Sequence, residues 1–430
     1  MNMETKKNYA LPILMMILLF GMVSFVTNLA APMGVVLKSQ FGVSNAMGLL
    51  GNMANFIAYA VMGIPGGILL QRVGYKKTAL IAIAVGFVGV LIQYLSGYAG
   101  QSSAMIVYLL GAFVAGFSMT LLNTVVNPML NTLGGGGNKG NQLIQIGGSF
   151  NSLMATFTPA FVGILIGEAA KARITDIFPV MYIAMGVFAL VFIVLWAVNI
   201  PEPHAERASE PIGNLMSGAL KFRHFVLGAI GIFVYVGVEV GTPYVMLYWL
   251  SDLASVGATI AGSVTGTYWF LMLIGRLLGG AVGGKVSSKT MLAVGSTIAL
   301  ILVTAGIFSP TTTLVSLPVF MTSEAGALSF GLAQVPINAM FFVLVGLCTS
   351  IMWGGIFNLA VEGLGKYVAV ASGIFMTLVC GGGLIPAFQG WIADIAGYMT
   401  SYWVIFAGFA YLLYYALIGS KNVNKDIKVD

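Results

Sequence analysis

The sequence predicts an all-α membrane protein with twelve transmembrane helices in two pseudo-symmetric six-helix halves. Three observations carry this. Charged residues fill only 7% of the 430 positions and hydrophobic ones 59%, whereas soluble domains carry about 25% charge. Apolar windows of about 20 residues, each long enough to cross a bilayer, recur twelve times. Short motifs also repeat in the same order between the two halves of the chain.

The first six windows have approximate cores at Leu11–Val36, Met47–Leu70, Thr78–Tyr98, Met105–Met129, Leu143–Ile166 and Phe178–Ile200. The second six lie at Phe225–Leu250, Ala258–Val282, Met291–Phe308, Ala339–Ala360, Val368–Ile392 and Tyr402–Ile418. Lys6 and Lys7 precede the first window, which has no small-residue cleavage site. It therefore reads as a membrane helix and not as a removed signal peptide. The 56 glycines suit closely packed membrane helices. Cys348 and Cys380 both lie in apolar segments, so no disulfide framework is implied.

An even number of crossings returns both termini to one side. Of the 19 Lys and Arg, all but Lys38, Lys171 and Arg173 fall on that side, including Lys139, Arg207, Lys285, Lys425 and Lys428. The positive-inside rule then makes both termini cytoplasmic. The expected division is residues 1–200, a linker at 201–223, residues 224–420, and a tail at 421–430. Pro201 and Pro203, with Glu202, His204, Glu206, Arg207 and Glu210, make that linker read as a solvated tether. Ser309–Ile337 is a second long loop on the other side, read either as an outer cap or as a partial re-entrant turn.

The halves repeat. Asn127 with Leu133 and Gly134 matches Asn358 with Leu364 and Gly365. Pro159 to Gly163 matches Pro386 to Gly390, and Lys77 to Leu80 matches Lys289 to Leu292. Such repeats characterise transporters that rock two halves about a midplane site.

Glu239 falls near the middle of the uncharged run Phe225–Leu250. An acid there costs roughly 2.5–3.5 kcal/mol on insertion scales, so it needs a partner or a task. Tyr235 and Pro243 lie one turn before and after it, on the same helix face. Pro243 cannot donate to the Glu239 carbonyl, which loosens the backbone where the charge sits. The plain structural alternative is a protonated glutamic acid bonded to a neighbouring helix.

Other polar residues also fall inside the windows: Asn28, Asn52, Asn55, Asn123, Asn127, Gln145, Asn151, Asn358 and Gln389. Asn123 and Asn127 are four apart and share a helix face. Carboxamides both donate and accept, which suits a neutral polyhydroxylated ligand. Trp269 and Trp353, with Tyr235, Tyr244 and Tyr268, offer ring surfaces for sugars. The alternatives are helix–helix bonding for each amide and simple packing for each ring. Tyr248 and Trp249, at the end of their window, read as interfacial anchors. Arg72, Lys76, Lys77 and Arg276 fall at two matching cytoplasmic turns, where basic side chains can bond neighbouring helix ends and gate one conformation. Topology alone accounts for them equally well.

No catalytic constellation, metal-ligand spacing or phosphate-cradling loop is evident, and the net charge of +6 suggests neither nucleic acid nor an acidic substrate. An enzyme is not expected. No cofactor or metal is expected beyond a coupling proton or sodium ion, and the partners expected are a small-molecule sugar and the bilayer, for a monomer.

Gly67 to Lys77 resembles the loop signature of the major facilitator superfamily, with Gln71 in place of the usual Asp. Several stretches look like its fucose–galactose–glucose:proton symporter family: Leu122 to Pro128, Ser149 to Ser152, Tyr235 to Gly237 and Thr265 to Thr267. So do Gly275-Arg276, Ile356-Phe357, Ser372-Gly373 and Gly381 to Asp394. The resemblance covers about the whole chain. It implies alternating-access import of a sugar across the plasma membrane, the inner membrane in bacteria, with Asn151 and Asn127 matching family asparagines. Two departures bear on coupling. A proton-coupled member has an Asp after the Asn-Leu pair, where Asn28-Leu29 is here followed by Ala30-Ala31, and a Glu at the position of Asn123. Glu239 stands where that member has Gln, so it is the remaining coupling candidate.

The leading expectation is therefore a secondary transporter of a hexose or deoxyhexose coupled through Glu239. Asn28, Asn123, Asn127, Asn151, Tyr235, Trp269, Trp353, Asn358 and Gln389 are the candidate sugar contacts. An uncoupled facilitator, a carrier of another small polar solute and a membrane sugar sensor are the alternatives.

Overall fold

The computed structural model describes residues 9–134, 137–166, 173–200, 202, 212–282, 286–322, 328–424 and 426–427. Its first half holds α1 (Ala10–Phe41), the one-turn α2 (Asn45–Gly48), α3 (Leu50–Val73), α4 (Tyr75–Leu95), α5 (Gln101–Leu133), α6 (Gly137–Ile166) and α7 (Phe178–Ala197). After α8 (Ile212–Leu220) come α9 (Arg223–Asp252), α10 (Gly257–Val282) and α11 (Ser288–Phe308). A hairpin, β1 (Leu314–Thr322) and β2 (Leu328–Pro336), leads into α12 (Ile337–Thr349) and α13 (Met352–Val361). The chain closes with α14 (Val368–Leu378), α15 (Gly381–Ala396) and α16 (Tyr398–Tyr414).

Among the described residues, ten stretches are long and apolar enough to cross a membrane. The pairs α12–α13 and α14–α15 each count as one. The helices α6 and α10, of 30 and 26 residues, complete twelve passages. The twelve passages return the chain to the end at which α1 begins, here the terminal end; the opposite end is the far end.

Two expected helices are broken at mid-depth. The passage expected at Ala339–Ala360 stops at Thr349 and resumes at Met352, and that expected at Val368–Ile392 breaks at Val379 and Cys380. Discontinuous helices free backbone groups at the level where a solute would bind. Within α15, Pro386 cannot donate to the Gly382 carbonyl, and Asn52 Nδ2 donates to it at 2.9 Å across the two halves. The loop expected at Ser309–Ile337 is instead the antiparallel hairpin, with Leu314 opposite Pro336 and Phe320 opposite Phe330.

The halves meet along two broad fronts, α6 against α10 and α3 against α14 and α15. Small residues allow the approach: Gly266 sits against the Thr156 carbonyl, and Gly63 against Thr377. Cys348 and Cys380 are buried free thiols.

The linker is more than a tether at its described positions. Glu202 accepts from the backbone N–H groups of Tyr75 (2.7 Å) and Lys76 (3.1 Å), capping α4. Gly74, at φ +84°, makes the reversal that aims those groups outward, and a Cβ there would strike the Glu202 carboxylate. His204, Glu206, Arg207 and Glu210 lie outside the described residues, as do Lys6, Lys7, Lys171, Lys285, Lys425 and Lys428 and the side chains of Gln71, Lys38 and Lys139.

Candidate functional site

Glu239 is half-way along α9, and every neighbour in the window from Tyr235 to Leu250 is buried with it. Its Oε1 accepts from the Tyr235 hydroxyl at 2.8 Å and from Arg276 Nη2 at 3.3 Å. Both charged side chains are only 11% exposed. The acid therefore has the partner its depth demands. Pro243 leaves the Glu239 carbonyl without its helical donor, and the Tyr268 hydroxyl from α10 takes that place at 3.0 Å. Tyr268 also meets the Thr349 hydroxyl at 3.1 Å, and the Tyr235 hydroxyl lies 3.2 Å from the Thr349 carbonyl. The break after α12 is thus tied to Glu239 by two tyrosines, Tyr235 at the carboxylate and Tyr268 at the backbone carbonyl.

Arg276 links the halves. Its Nη1 donates to the Gly148 carbonyl (2.6 Å) and the Ser152 hydroxyl (2.9 Å) of α6, while Nη2 reaches Glu239. The sequence placed Arg276 at a cytoplasmic turn with Arg72, Lys76 and Lys77. It belongs instead to the centre, because its side chain runs up the helix toward the one buried acid within reach. The other three stay at the α3–α4 turn: Arg72 and Lys77 are exposed, and Lys76 donates to the Trp196 carbonyl within its own half.

A cavity of about 110 Å³ opens beside this pair. At about 30 Å³ per water in the liquid, it has room for about four waters. Its walls include Asn28, Asn123, Asn151, Glu239, Trp269 and Trp353, six of the expected site residues, from both halves. Asn28 Nδ2 bonds back to Ser24, Asn123 Nδ2 donates to the Tyr59 hydroxyl (2.7 Å), and Asn151 Nδ2 donates to the Phe20 carbonyl (3.1 Å). Trp269 Nε1 is buried without a partner among the described residues. Trp353 packs edge-on against Tyr235.

Four expected contacts do not reach the cavity wall. Asn127 Nδ2 donates to the Asn123 carbonyl (3.0 Å), because one helical turn aims it along its own helix. Tyr235 stands behind Glu239. Asn358, half-buried on α13, lies beyond the break, on the terminal side. Gln389 is fully buried on α15 against Gly241 of α9, toward the far end. Sequence reasoning missed Tyr59, Thr27 and Ser350, whose hydroxyls carry no charge or motif to mark them among many similar residues.

The far end is closed. Tyr244 donates to the Thr27 carbonyl (3.3 Å) across the halves, and Tyr248 packs on Gly34 and Gly48. Tyr248 and Trp249 are 2% and 6% exposed, so they are packing residues and not interfacial anchors. The Asp394 carboxylate accepts from Asn45 Nδ2 (2.9 Å) and from the backbone N–H groups of Asn45 (3.3 Å) and Ala46 (3.2 Å). Tyr398 donates to Asp252 at 2.5 Å and lies 3.1 Å from Asn45 Oδ1.

Residues 13–385 match the family model described as Major Facilitator Superfamily. The chain belongs to that superfamily. A glucose/galactose transporter of Brucella abortus is 30% identical over 97% of this chain and 96% of its own. A putative glucose/galactose transporter of Helicobacter pylori is 28% identical over 94% and 95%. The L-fucose-proton symporter of Escherichia coli is 22% identical over 91% and 89%. Together these relatives place this facilitator in the fucose–galactose–glucose:proton symporter family, whose members are transporters and not enzymes. The crystal structure of the Escherichia coli fucose:proton symporter FucP in the outward conformation matches with a TM-score of 0.72, at 19% identity, over 96% of this chain and 100% of that one. It shares the fold of this facilitator.

Proposed function

We propose that this facilitator imports a hexose or deoxyhexose by alternating access, with Glu239 as the coupling group. The observation that carries the reading is a single cavity at the junction of the halves that holds a buried carboxylate, four carboxamides and two indoles. Amides recognise sugar hydroxyls and indoles the apolar ring face, and the matched relatives are named as transporters of glucose, galactose and fucose.

Arg276 gives the coupling a physical form. With Glu239 charged, Arg276 is held on the C-terminal half while it binds the Gly148 carbonyl and Ser152 of the N-terminal half. A proton or sodium ion arriving at Glu239 competes with Arg276 for the carboxylate. That weakens the link on one side and changes the relative stability of the two arrangements. The ion is loaded from outside and released inside together with the sugar. In this reading the termini are cytoplasmic, the far end faces outward, the protein works as a monomer in the bacterial inner membrane, and no cofactor takes part. The second reading, an uncoupled facilitator, is favoured by the same ion pair: Arg276 permanently neutralises Glu239 and the carboxylate serves as a sugar ligand.

Counterflow into proteoliposomes preloaded with D-glucose, D-galactose or L-fucose tests the substrate class. Labelled sugar should accumulate transiently for at least one of the three, and Asn123→Ala or Trp269→Ala should diminish it. Absence of counterflow for every sugar, in protein that retains its fold, overturns the sugar reading.

A further inference from the structure

Behind the central cavity, α1, α6 and α7 enclose a second hollow of about 530 Å³. It exists because α7 packs broadly on α4 and barely touches α6. The hollow is a groove that runs from Met15 to Phe25 on α1, from Phe150 to Phe161 on α6 and from Ile183 to Val194 on α7. Ten or eleven helical steps separate each pair, which is about 15–17 Å of helix in all three cases. The groove opens sideways to the outside of the bundle, with Leu18 and Leu190 on its rim at 40% and 61% exposure.

Its walls say what fits. The sole side-chain hydroxyl in the lining, that of Thr158, donates to the Met154 carbonyl of its own helix at 2.6 Å, so no side chain there calls for water. A further membrane helix is a poor occupant. Helices pack in hydrocarbon through small residues, and the lining holds one glycine, Gly21, where an added Cβ would stand 2.4 Å from the Phe150 ring. The stretches 1–8, 167–172 and 203–211, outside the described residues, carry Lys6 and Lys7, Glu168 and Lys171, and Glu206, Arg207 and Glu210. Such charged segments do not suit an apolar slot. A hydrocarbon chain does. The hydrocarbon core of a bilayer is about 30 Å thick, so one leaflet is about 15 Å deep, which is the length of the groove. On α7 the groove begins at Val194, three residues from the terminal end at Ala197, and runs past mid-depth to Ile183. Met15, Met22 and Met154 line it with side chains that adapt to an irregular guest.

We propose that this groove is a binding slot for one acyl chain of a phospholipid in the terminal-side leaflet. The chain fills the gap that α7 leaves and packs the back of the wall that carries the central cavity. Two helices form that wall. α1 turns Ser24 and Asn28 to the cavity and Met22 and Phe25 to the groove, and α6 turns Asn151 to the cavity and Met154 to the groove. The bond from Asn151 Nδ2 to the Phe20 carbonyl ties the two helices together. The slot follows from the packing of α7 and holds whatever solute the cavity takes.

The full chain would be placed in vesicles of phosphatidylethanolamine and phosphatidylglycerol doped with a phosphatidylcholine that bears a diazirine midway along one acyl chain. After irradiation, adducts would be mapped by peptide mass spectrometry. The proposal expects adducts on the groove stretches of α1, α6 and α7 several-fold above those at Leu110 and Ile301, exposed apolar residues of α5 and α11 at 56% and 63%. Val187→Trp, which fills the slot, should bring the groove adducts down to that reference level and leave the reference unchanged. Groove adducts no higher than the reference in the wild type mean ordinary bilayer contact and overturn the proposal. Enriched adducts that Val187→Trp leaves in place overturn it too. A groove without adducts beside a labelled reference means that protein, such as a second copy, covers it, with the same consequence. Should Val187→Trp not fold, Leu190→Trp decides in its place.

Discussion

Breaking the Glu239–Arg276 pair should produce a strongly non-additive loss of stability. At the observed 3.3 Å, two unit charges attract by about 5 kcal/mol at an effective dielectric of 20. Desolvation of two groups that are each 11% exposed offsets much of this, and water in the adjoining cavity screens the rest. We expect Glu239→Gln to cost about 2 kcal/mol, because Arg276 keeps its bonds to Gly148 and Ser152. Arg276→Met should cost about 3 kcal/mol, because it strands the carboxylate on Tyr235 and also removes the link to α6. The double variant should lose about 3 kcal/mol and not the sum, leaving a coupling of about 2 kcal/mol. Reversible unfolding in mixed micelles of a mild and a denaturing detergent measures all four species. Additivity within about 0.5 kcal/mol would refute the pairing.

Three further outcomes follow from the geometry. Asp394→Ala removes a partly solvated charge-assisted cap from the far-end latch and should shift the halves by about 1 kcal/mol toward an open far end. Labelling of a Thr27→Cys probe by an impermeant maleimide from that side should rise accordingly, and unchanged labelling would show that the latch is dispensable. Gly381→Ala would place a Cβ 1.9 Å from the Phe233 carbonyl, so the α15–α9 contact must separate; a loss of about 1–3 kcal/mol in stability is expected, and an unaltered melting temperature would contradict the packing described. Trp269→Ala should weaken sugar affinity by about tenfold, or about 1.4 kcal/mol, while Gln389→Ala, off the cavity, should leave affinity unchanged by equilibrium binding.

Much of this was legible because membrane folding imposes strong rules on sequence. The twelve windows correspond to twelve passages, since a crossing segment must be long and apolar throughout. Glu239 stood out because an acid is so rare at that depth, and Pro243 correctly signalled a free carbonyl, now used by Tyr268. Asn28, Asn123 and Asn151 reached the cavity as expected, whereas Asn127, Asn358 and Gln389 did not. Helical register does not say which of two polar faces meets a cavity and which meets a neighbour. Arg276 was misplaced because its position near a helix end suggested a turn, while a long side chain can travel several ångströms toward an opposite charge. The breaks at Thr349 and Cys380 had no proline to announce them. The hairpin was left open because its alternating pattern runs through a stretch bounded by prolines that also reads as a loop.

The most direct measurement of the central claim is sugar accumulation in proteoliposomes under imposed proton or sodium gradients, wild type beside Glu239→Gln. If Glu239 couples transport, one gradient drives accumulation in the wild type, and the variant loses that accumulation while still exchanging sugar across the membrane. If the variant concentrates sugar as well as the wild type does, Glu239 is not the coupling site.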